Sequence, residues 1–319
     1  MQGCLGRTHV KNTNQMKSKV PVLLVIFNRP ETTRFVFESI RKYQPDKLYI
    51  ASDGPRESNP EEKQIVEETR KMVLYAIDWD CEIKTLFREN NVGCAVGVSG
   101  GISWFFEYEE YGIIIEDDCV LSQDFYALCE ELLPYYQNEE KVMQIGAFNP
   151  AGGGINTNTY YFTSRIHIWG WATWKRAWNK MDIDFKNWTS YPKYKLFLKF
   201  GLLEGLYRLR YWNKVSKEKQ LSNVWDTRWF FTVLNNQGYC IGSDANLSLN
   251  IGVGDVNATN CNNPDNPFEN LRYGKQLFPL EHPSVISYNK KIEKREHKNW
   301  LRLRKIGAIY KIKKLFRLN

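Results

Sequence analysis

Between residues 20 and 118 the chain repeats one alternation, and this restricts its fold more than any other feature. "VPVLLVIFN" is an apolar run of strand length, followed by "RPETTRFVFESIRKY" with Pro30 at the start of a helical pattern, where proline is tolerated because the first-turn N–H has no partner in any case. "KLYIAS" predicts a second strand, ending at Asp53-Gly54-Pro55. "PEEKQIVEETRKMVLYAI" predicts a helix with Ile65, Val66, Met72, Val73 and Ile77 on its apolar face. "CEIKTLF" alternates as a third strand, "AVGVSGGISWFFEYEE" reads as a helix loosened by its glycines, and "GIIIED" is a fourth strand. Strands alternating with helices predict an α/β fold with a doubly wound parallel sheet.

Ligands of such sheets bind beyond the carboxyl ends of the strands. Four polar exits should therefore meet on one edge: Asn28-Arg29, Asp53-Gly54-Pro55-Arg56, Arg88-Glu89-Asn90-Asn91 and Glu116-Asp117-Asp118. The last is the most demanding. Adjacent carboxylates repel, so at least one pKa rises unless a cation sits among them. A strand that merely surfaces in acids is the simpler reading; the convergence of four polar exits favours a built site. Mg²⁺ or Mn²⁺ at Asp118 would bridge one or two carboxylates to a diphosphate. Asp53 would take ribose or base groups, and Arg56 and Arg88 would meet phosphate or a structural acid. Neither GxGxxG nor GxxxxGK[ST] occurs, which gives no support to a dinucleotide fingerprint or a P-loop.

Past Cys119 the pattern changes. "SQDFYALCEELLPYY" predicts a helix, and "VMQIGAF" and "TYYFTS" predict strands. "HIWGWATWKRAW" and "VWDTRWFFTVL" follow, in a chain with 11 Trp. Sugars present apolar C–H faces to aromatic rings, so Trp169, Trp171 and Trp174, around a Gly170 that admits close approach, are candidate acceptor contacts; the alternative is a core role. Asp226, flanked by Trp225 and Trp229, suits a general base because an apolar wall raises its pKa. It also suits a helix N-cap.

Other classes are excluded by composition. The longest apolar run, residues 20 to 27, is far short of a membrane span of ~20 residues. Residues 1–19 read as a flexible leader without a secretory h-region. Seven cysteines without a CxxC argue against a disulfide framework or zinc and for reduced thiols in the cytoplasm. The net charge of +8 is concentrated in the last thirty residues, where twelve Lys and Arg face two Glu. With Trp300, Leu303, Ile306, Ile309, Tyr310 and Phe316 at roughly helical spacing, residues 290–319 read as a basic amphipathic tail for a membrane surface; the alternatives are an ordinary C-terminal helix with a solvated charged face and, less favoured, a nucleic-acid arm. Residues 20–289 form one domain, with a nucleotide half to 118 and an acceptor half from 119.

"VPVLLVIFNRPETT", "KLYIASDGPR", "FRENNVGC", "GIIIEDDCVLSQDFY", "WGWATWKRAW" and "WDTRW" occur in that order. Together, over residues 20 to about 262, they resemble the bacterial GT-A fold sugar transferases of capsule, O-antigen and other surface-polysaccharide gene clusters. The acidic triplet and the Trp-Asp segment are also similar to the N-acetylglucosaminyltransferase I type. The resemblance implies a mixed central sheet with helices on both faces, and a metal-dependent hexosyltransferase. By it, Glu116-Asp117-Asp118 is a DxD-type motif with Asp118 on Mn²⁺ or Mg²⁺. Phe27, Asn28, Arg29 and Asp53 hold the nucleoside, and Asp226 is the base of an inverting transfer. The donor is a nucleotide-diphosphate sugar, UDP-linked by preference. The acceptor is a glycan or lipid-linked saccharide at the inner membrane face. Thr259-Asn260 stands where that family has Thr-His, so Asn260 would offer the metal a neutral carbonyl. Two rivals remain: a sugar-1-phosphate nucleotidyltransferase, which wants a glycine-rich basic loop where this chain has "NRPETT", and a membrane-tethered scaffold without activity.

Overall fold

The computed structural model describes residues 18–150, 159–217, 224–252 and 271–316. Four parallel strands open the fold: β1 (Val22–Ile26), β2 (Lys47–Ser52), β3 (Glu82–Phe87) and β4 (Tyr111–Glu116). They are linked by α1 (Pro30–Tyr43), α2 (Glu62–Tyr75) and α3 (Cys94–Tyr108). Then come β5 (Cys119–Leu121), α4 (Gln123–Tyr135), β6 (Val142–Gly146), β7 (Tyr160–Thr163), β8 (Trp171–Trp174) and α5 (Lys175–Trp178). α6 (Tyr194–Val215), α7 (Trp225–Asn235), β9 (Tyr239–Ser243), β10 (Ser248–Asn250) and α8 (Lys290–Phe316) complete the order.

One sheet runs through both halves of the chain, in the order β3-β2-β1-β4-β8-β6-β9-β7. β8 is antiparallel to both β4 and β6, and β7 is antiparallel to β9. The sheet is therefore mixed, as the resemblance implied, and not wholly parallel as the opening alternation alone suggested. Ile113, Ile114 and Ile115 point alternately to opposite faces, yet all are buried. Both faces are therefore covered, which is why the strand reads as an unbroken apolar run. Edge strand β3 carries exposed Glu82 paired with Lys84, charges that discourage edge pairing. On α2, Val66, Thr69, Arg70 and Val73 face inward, whereas the predicted core residue Ile65 is exposed.

The parallel register sets Val25 beside Glu116, Ile26 beside Ser52, and Ser52 beside Phe87. All four strands thus end at one level, and the residues after them share one edge. β5 and β10 form a separate antiparallel pair directly after the acidic triplet, with Asn250 opposite Cys119. Among the described residues no helix is long and apolar enough to cross a membrane.

The C-terminal segment is not a free tail from residue 290. Ile292 and Glu296 of α8 are buried. Glu293 accepts hydrogen bonds from the Ser164 backbone and hydroxyl at 2.6 and 3.0 Å, and Glu296 accepts one from Thr163 at 2.8 Å. The first turns of α8 belong to the body of the protein.

Candidate active site

The four exits enclose a cavity of about 580 Å³, within the size range of small-molecule sites. Phe27, Asn28, Arg29, Asp53, Arg56, Arg88, Glu116 and Asp117 line it, together with Asn91, Gly93, Cys94 and Gly97.

At the β1 exit, Arg29 lies between two acids. Its guanidinium pairs with Asp117 and stands 3.2 Å from Asp118 Oδ2. The Phe27 N–H donates to Asp117 Oδ2 at 3.3 Å. One cation against three adjacent carboxylates leaves excess negative charge. Burial, then the Asp118, Asp117 and Asp226 charges, push the Glu116 carboxyl up. Burial also pushes Asp117 up, against the pull of Arg29.

Asp118 sits at the rim, beside β10. The Asn250 amide donates to its Oδ1 at 3.3 Å and its carbonyl accepts from Ile251 N–H at 2.8 Å. A Cβ on Gly252 would come within 2.7 Å of Asp118 Oδ2, so the β10 exit closes tightly over the acid. Among the described residues no three His, Cys, Asp or Glu side chains are grouped to enclose a metal. The surplus carboxylate charge nevertheless fits a hard divalent ion that takes most of its ligands from a diphosphate and water. Asn260 lies outside the described residues.

At the β2 exit Asp53 is engaged by the chain itself. Its carboxylate accepts the backbone N–H groups of Gly54, Val92 and Gly93, each at 3.1 Å. Burial raises its pKa against these bonds. Asp53 therefore organises the loop leading into α3 as well as lining the cavity. A Cβ on Gly54 would lie 2.5 Å from the Asn90 backbone, and only the bare glycine lets the two loops touch.

Two ordering residues escaped the sequence reading. Glu62, buried at the start of α2, accepts from the Asn28 amide (2.8 Å), the Arg56 backbone N–H (2.8 Å) and Arg56 Nε (3.1 Å). Burial opposes its charge, but the bonds and charge of Arg56 outweigh that and lower its pKa. Arg70, also buried, donates to Ser52 Oγ and to the carbonyls of Asp53 and Arg88 at 2.7–3.0 Å. Glu62 stood in an acidic helix start and Arg70 in an amphipathic repeat, so neither carried a signal of its own.

The acceptor-side expectation needs correction. Trp171 and Trp174 are 0% and 1% exposed. Trp171 stacks on Trp225 with ring centres 5.7 Å apart, and Trp174 donates Nε1–H to the Leu133 carbonyl at 2.9 Å. Both are core residues with no free ring face. Gly170 has φ of +73° and a Cβ there would run into the Leu121 side chain. Its role is a tight turn into β8, and the close approach it permits is to Leu121. Trp169 is only partly buried, 4.4 Å from the Phe148 ring. Asp226 lies in the first turn of α7, where Val224 is the N-cap residue. Asp226 Oδ1 accepts the Thr227 N–H at 2.8 Å. It is half-buried, burial raises its pKa, and its charge is felt at Glu116 and Cys94.

Among curated proteins none matches this chain. Similar solved structures include HddC from Yersinia pseudotuberculosis (8% identity, 49% of this chain and 77% of that one, TM-score 0.31). Another is the inositol-1-phosphate CTP transferase from T. maritima (10% identity, 52% and 74%, TM-score 0.30). These likenesses are too slight to argue from. The model of one family, described as glycosyl transferase family 2, matches residues 22–198. That match runs from β1 through every strand exit of the cavity and covers more than half of the sequence: the chain, with its GT-A type fold, belongs to glycosyl transferase family 2.

Proposed function

We propose that this glycosyltransferase moves a hexose from a nucleotide-diphosphate donor, UDP-linked by preference, to a glycan in surface-polysaccharide synthesis, with inversion. The observation that carries the reading is the acidic triplet, paired with Arg29, at the mouth of a cavity of about 580 Å³. In this reading the Phe27 ring, with the Arg56 guanidinium 5.5 Å from its centre, forms a shelf for the base. Asn28 and Asp53 meet the nucleoside, and Arg88 meets phosphate. Asp118, with Asn250 beside it and Asn260 as a further candidate ligand, would hold Mn²⁺ or Mg²⁺. When bound, the cation supplies charge neutralisation to the departing diphosphate. Arg29 releases part of its hold on Asp117 and Asp118 as the donor enters and turns its charge toward phosphate. Asp226 accepts the proton of the acceptor hydroxyl, its raised pKa bringing it nearer to neutral pH. Trp169 offers the acceptor a ring edge. The acceptor is a lipid-linked saccharide, which places the enzyme peripherally at the cytoplasmic membrane face.

The test is calorimetry with UDP, GDP, dTDP and CDP, with and without Mn²⁺, on the wild type and Asp118→Ala. Metal-dependent binding of one nucleotide, lost in a variant with unchanged melting, supports the reading and names the donor class. No binding of any nucleotide to a folded wild type overturns it.

A further inference from the structure

Helix α6 breaks at Gly201, whose φ of +74° and ψ of 178° are not helical and suit only glycine. The break turns a knuckle to solvent. Leu198 is 80% exposed, Leu202 73% and Leu203 67%, with Tyr194 also exposed one turn before. The same stretch buries Leu196, Phe200 and Glu204, so the knuckle is anchored from behind. Single exposed leucines are ordinary; three at one protruding break form a patch that calls for a partner.

Helix α8 runs beside it. Lys199 Nζ is 4.0 Å from Glu293, Glu204 is 2.6 Å from His297 Nδ1, and the Tyr207 and Trp300 ring centres are 5.3 Å apart. Gly201, Leu202 and Leu203 thus lie between the first two of these contacts, and Leu198 directly precedes the first. Lys291, Lys294, Lys298, Arg302 and Lys305 of α8 are all exposed. Their intervals of three, four, four and three residues put them on one helical stripe, while Ile292 and Glu296 face the body. Beyond them the sequence from Ile306 to Phe316 interleaves apolar and basic residues.

We propose that the α6 knuckle and the α8 stripe form one docking surface for an anionic lipid bilayer. The leucines enter the acyl boundary and the basic side chains meet the headgroups. Charge selects this occupant: the positive charge is gathered in the last thirty residues, whereas the remainder is slightly acidic. A second copy of the chain would bring the same basic stripe to the contact. The inference rests on the membrane-side acceptor proposed above and names the surface that would meet that membrane.

The experiment is co-sedimentation of the full chain with phosphatidylcholine vesicles, with and without phosphatidylglycerol, alongside donor calorimetry on the same preparations. Wild type should bind the anionic vesicles alone, and more weakly as salt rises. Leu198→Ser/Leu202→Ser/Leu203→Ser and, separately, Lys294→Glu/Lys298→Glu/Arg302→Glu should each lose at least about tenfold in vesicle affinity. Both should retain wild-type melting, because every altered side chain faces solvent. Equal binding to neutral and anionic vesicles, or anionic binding that neither variant weakens, overturns the proposal. So does a dimer that the leucine variant dissolves without vesicle binding by the wild type. Donor binding without vesicle binding sinks this surface alone; vesicle binding without donor binding supports it and sinks the transferase reading.

Discussion

Arg29 shows how a single side chain sets the state of the site. It holds Asp117 and Asp118 at once, while burial and the neighbouring acids favour the neutral form of Glu116. A divalent cation held by these acids would favour their charged forms and compete with Arg29 for the same oxygens. Asp226 is the proposed base. Among the described residues the one hydrogen bond its carboxylate accepts from a neighbour is that of the Thr227 N–H, to Oδ1, and in the proposed reaction Oδ2 would meet the acceptor hydroxyl. Asp226→Asn should lower kcat about 10²- to 10⁴-fold and leave donor affinity within about twofold, measured by turnover and calorimetry. The acid limb of the wild-type kcat profile should lie above the ordinary Asp value of about 4, because burial favours the neutral acid. A limb unmoved by the substitution would remove Asp226 from the role of base.

Among the elements, α2 reaches furthest beyond its own packing. Its first-turn Glu62 joins the β1 exit at Asn28 to the β2 exit at Arg56, so one buried carboxylate sets the spacing of two loops. Glu62→Gln keeps the shape but loses the charge-assisted bonds. It should cost about 1–3 kcal/mol of stability and weaken donor binding about tenfold; denaturant unfolding and calorimetry read the two separately. Unchanged donor affinity with lowered stability would make Glu62 purely structural. The tryptophan-rich elements act differently. Trp171, Trp178, Trp225 and Trp229 bring β8, α5 and α7 into one aromatic cluster, which fixes the first turn of α7 and hence Asp226. They pack behind the proposed base and, among the described residues, do not line the cavity.

Across the whole molecule, a buried ionic network ties the C-terminal helix α8 to α6 and to the segment after β7. Arg165 and Arg208 each donate to Glu204 at 2.8 Å, and His297 of α8 meets the same carboxylate. Burial alone would raise the Glu204 pKa; the Arg165 bonds, the Arg208 and Arg165 charges and His297 outweigh it and hold the carboxyl at about 2. The folded pKa is below the unfolded one, so the resulting stability is fully present above the ordinary glutamate value of 4.5. It is lost as pH falls from there toward 2. Acid unfolding of the wild type should therefore steepen in that window. Glu204→Gln should flatten it and cost about 3–5 kcal/mol at neutral pH, because two buried guanidinium groups lose their counter-charge. Melting curves from pH 2 to 7 would show a parallel loss in both proteins if the network were inert.

The opening alternation, the helix start at Pro30, the four polar exits and their shared edge were legible in the sequence. Each is encoded locally, by period-2 or period-3.6 burial and by the chemistry of the residue after a strand. The basic charge of the last thirty residues is likewise a property of the letters. Tertiary structure alone decided the remainder, because those facts depend on pairs distant in the chain. Antiparallel β8 joins β4 to β6 in the middle of the sheet and buries Trp171 and Trp174, so an aromatic run that read as a sugar platform became core. Glu62, Arg70 and Glu204 acquire their roles only when residues up to 93 positions away arrive within hydrogen-bond reach. The helix break at Gly201 sets three leucines beside a basic stripe that begins ninety residues later. Periodicity reports which face of an element is buried; it carries no record of what the fold brings against that face.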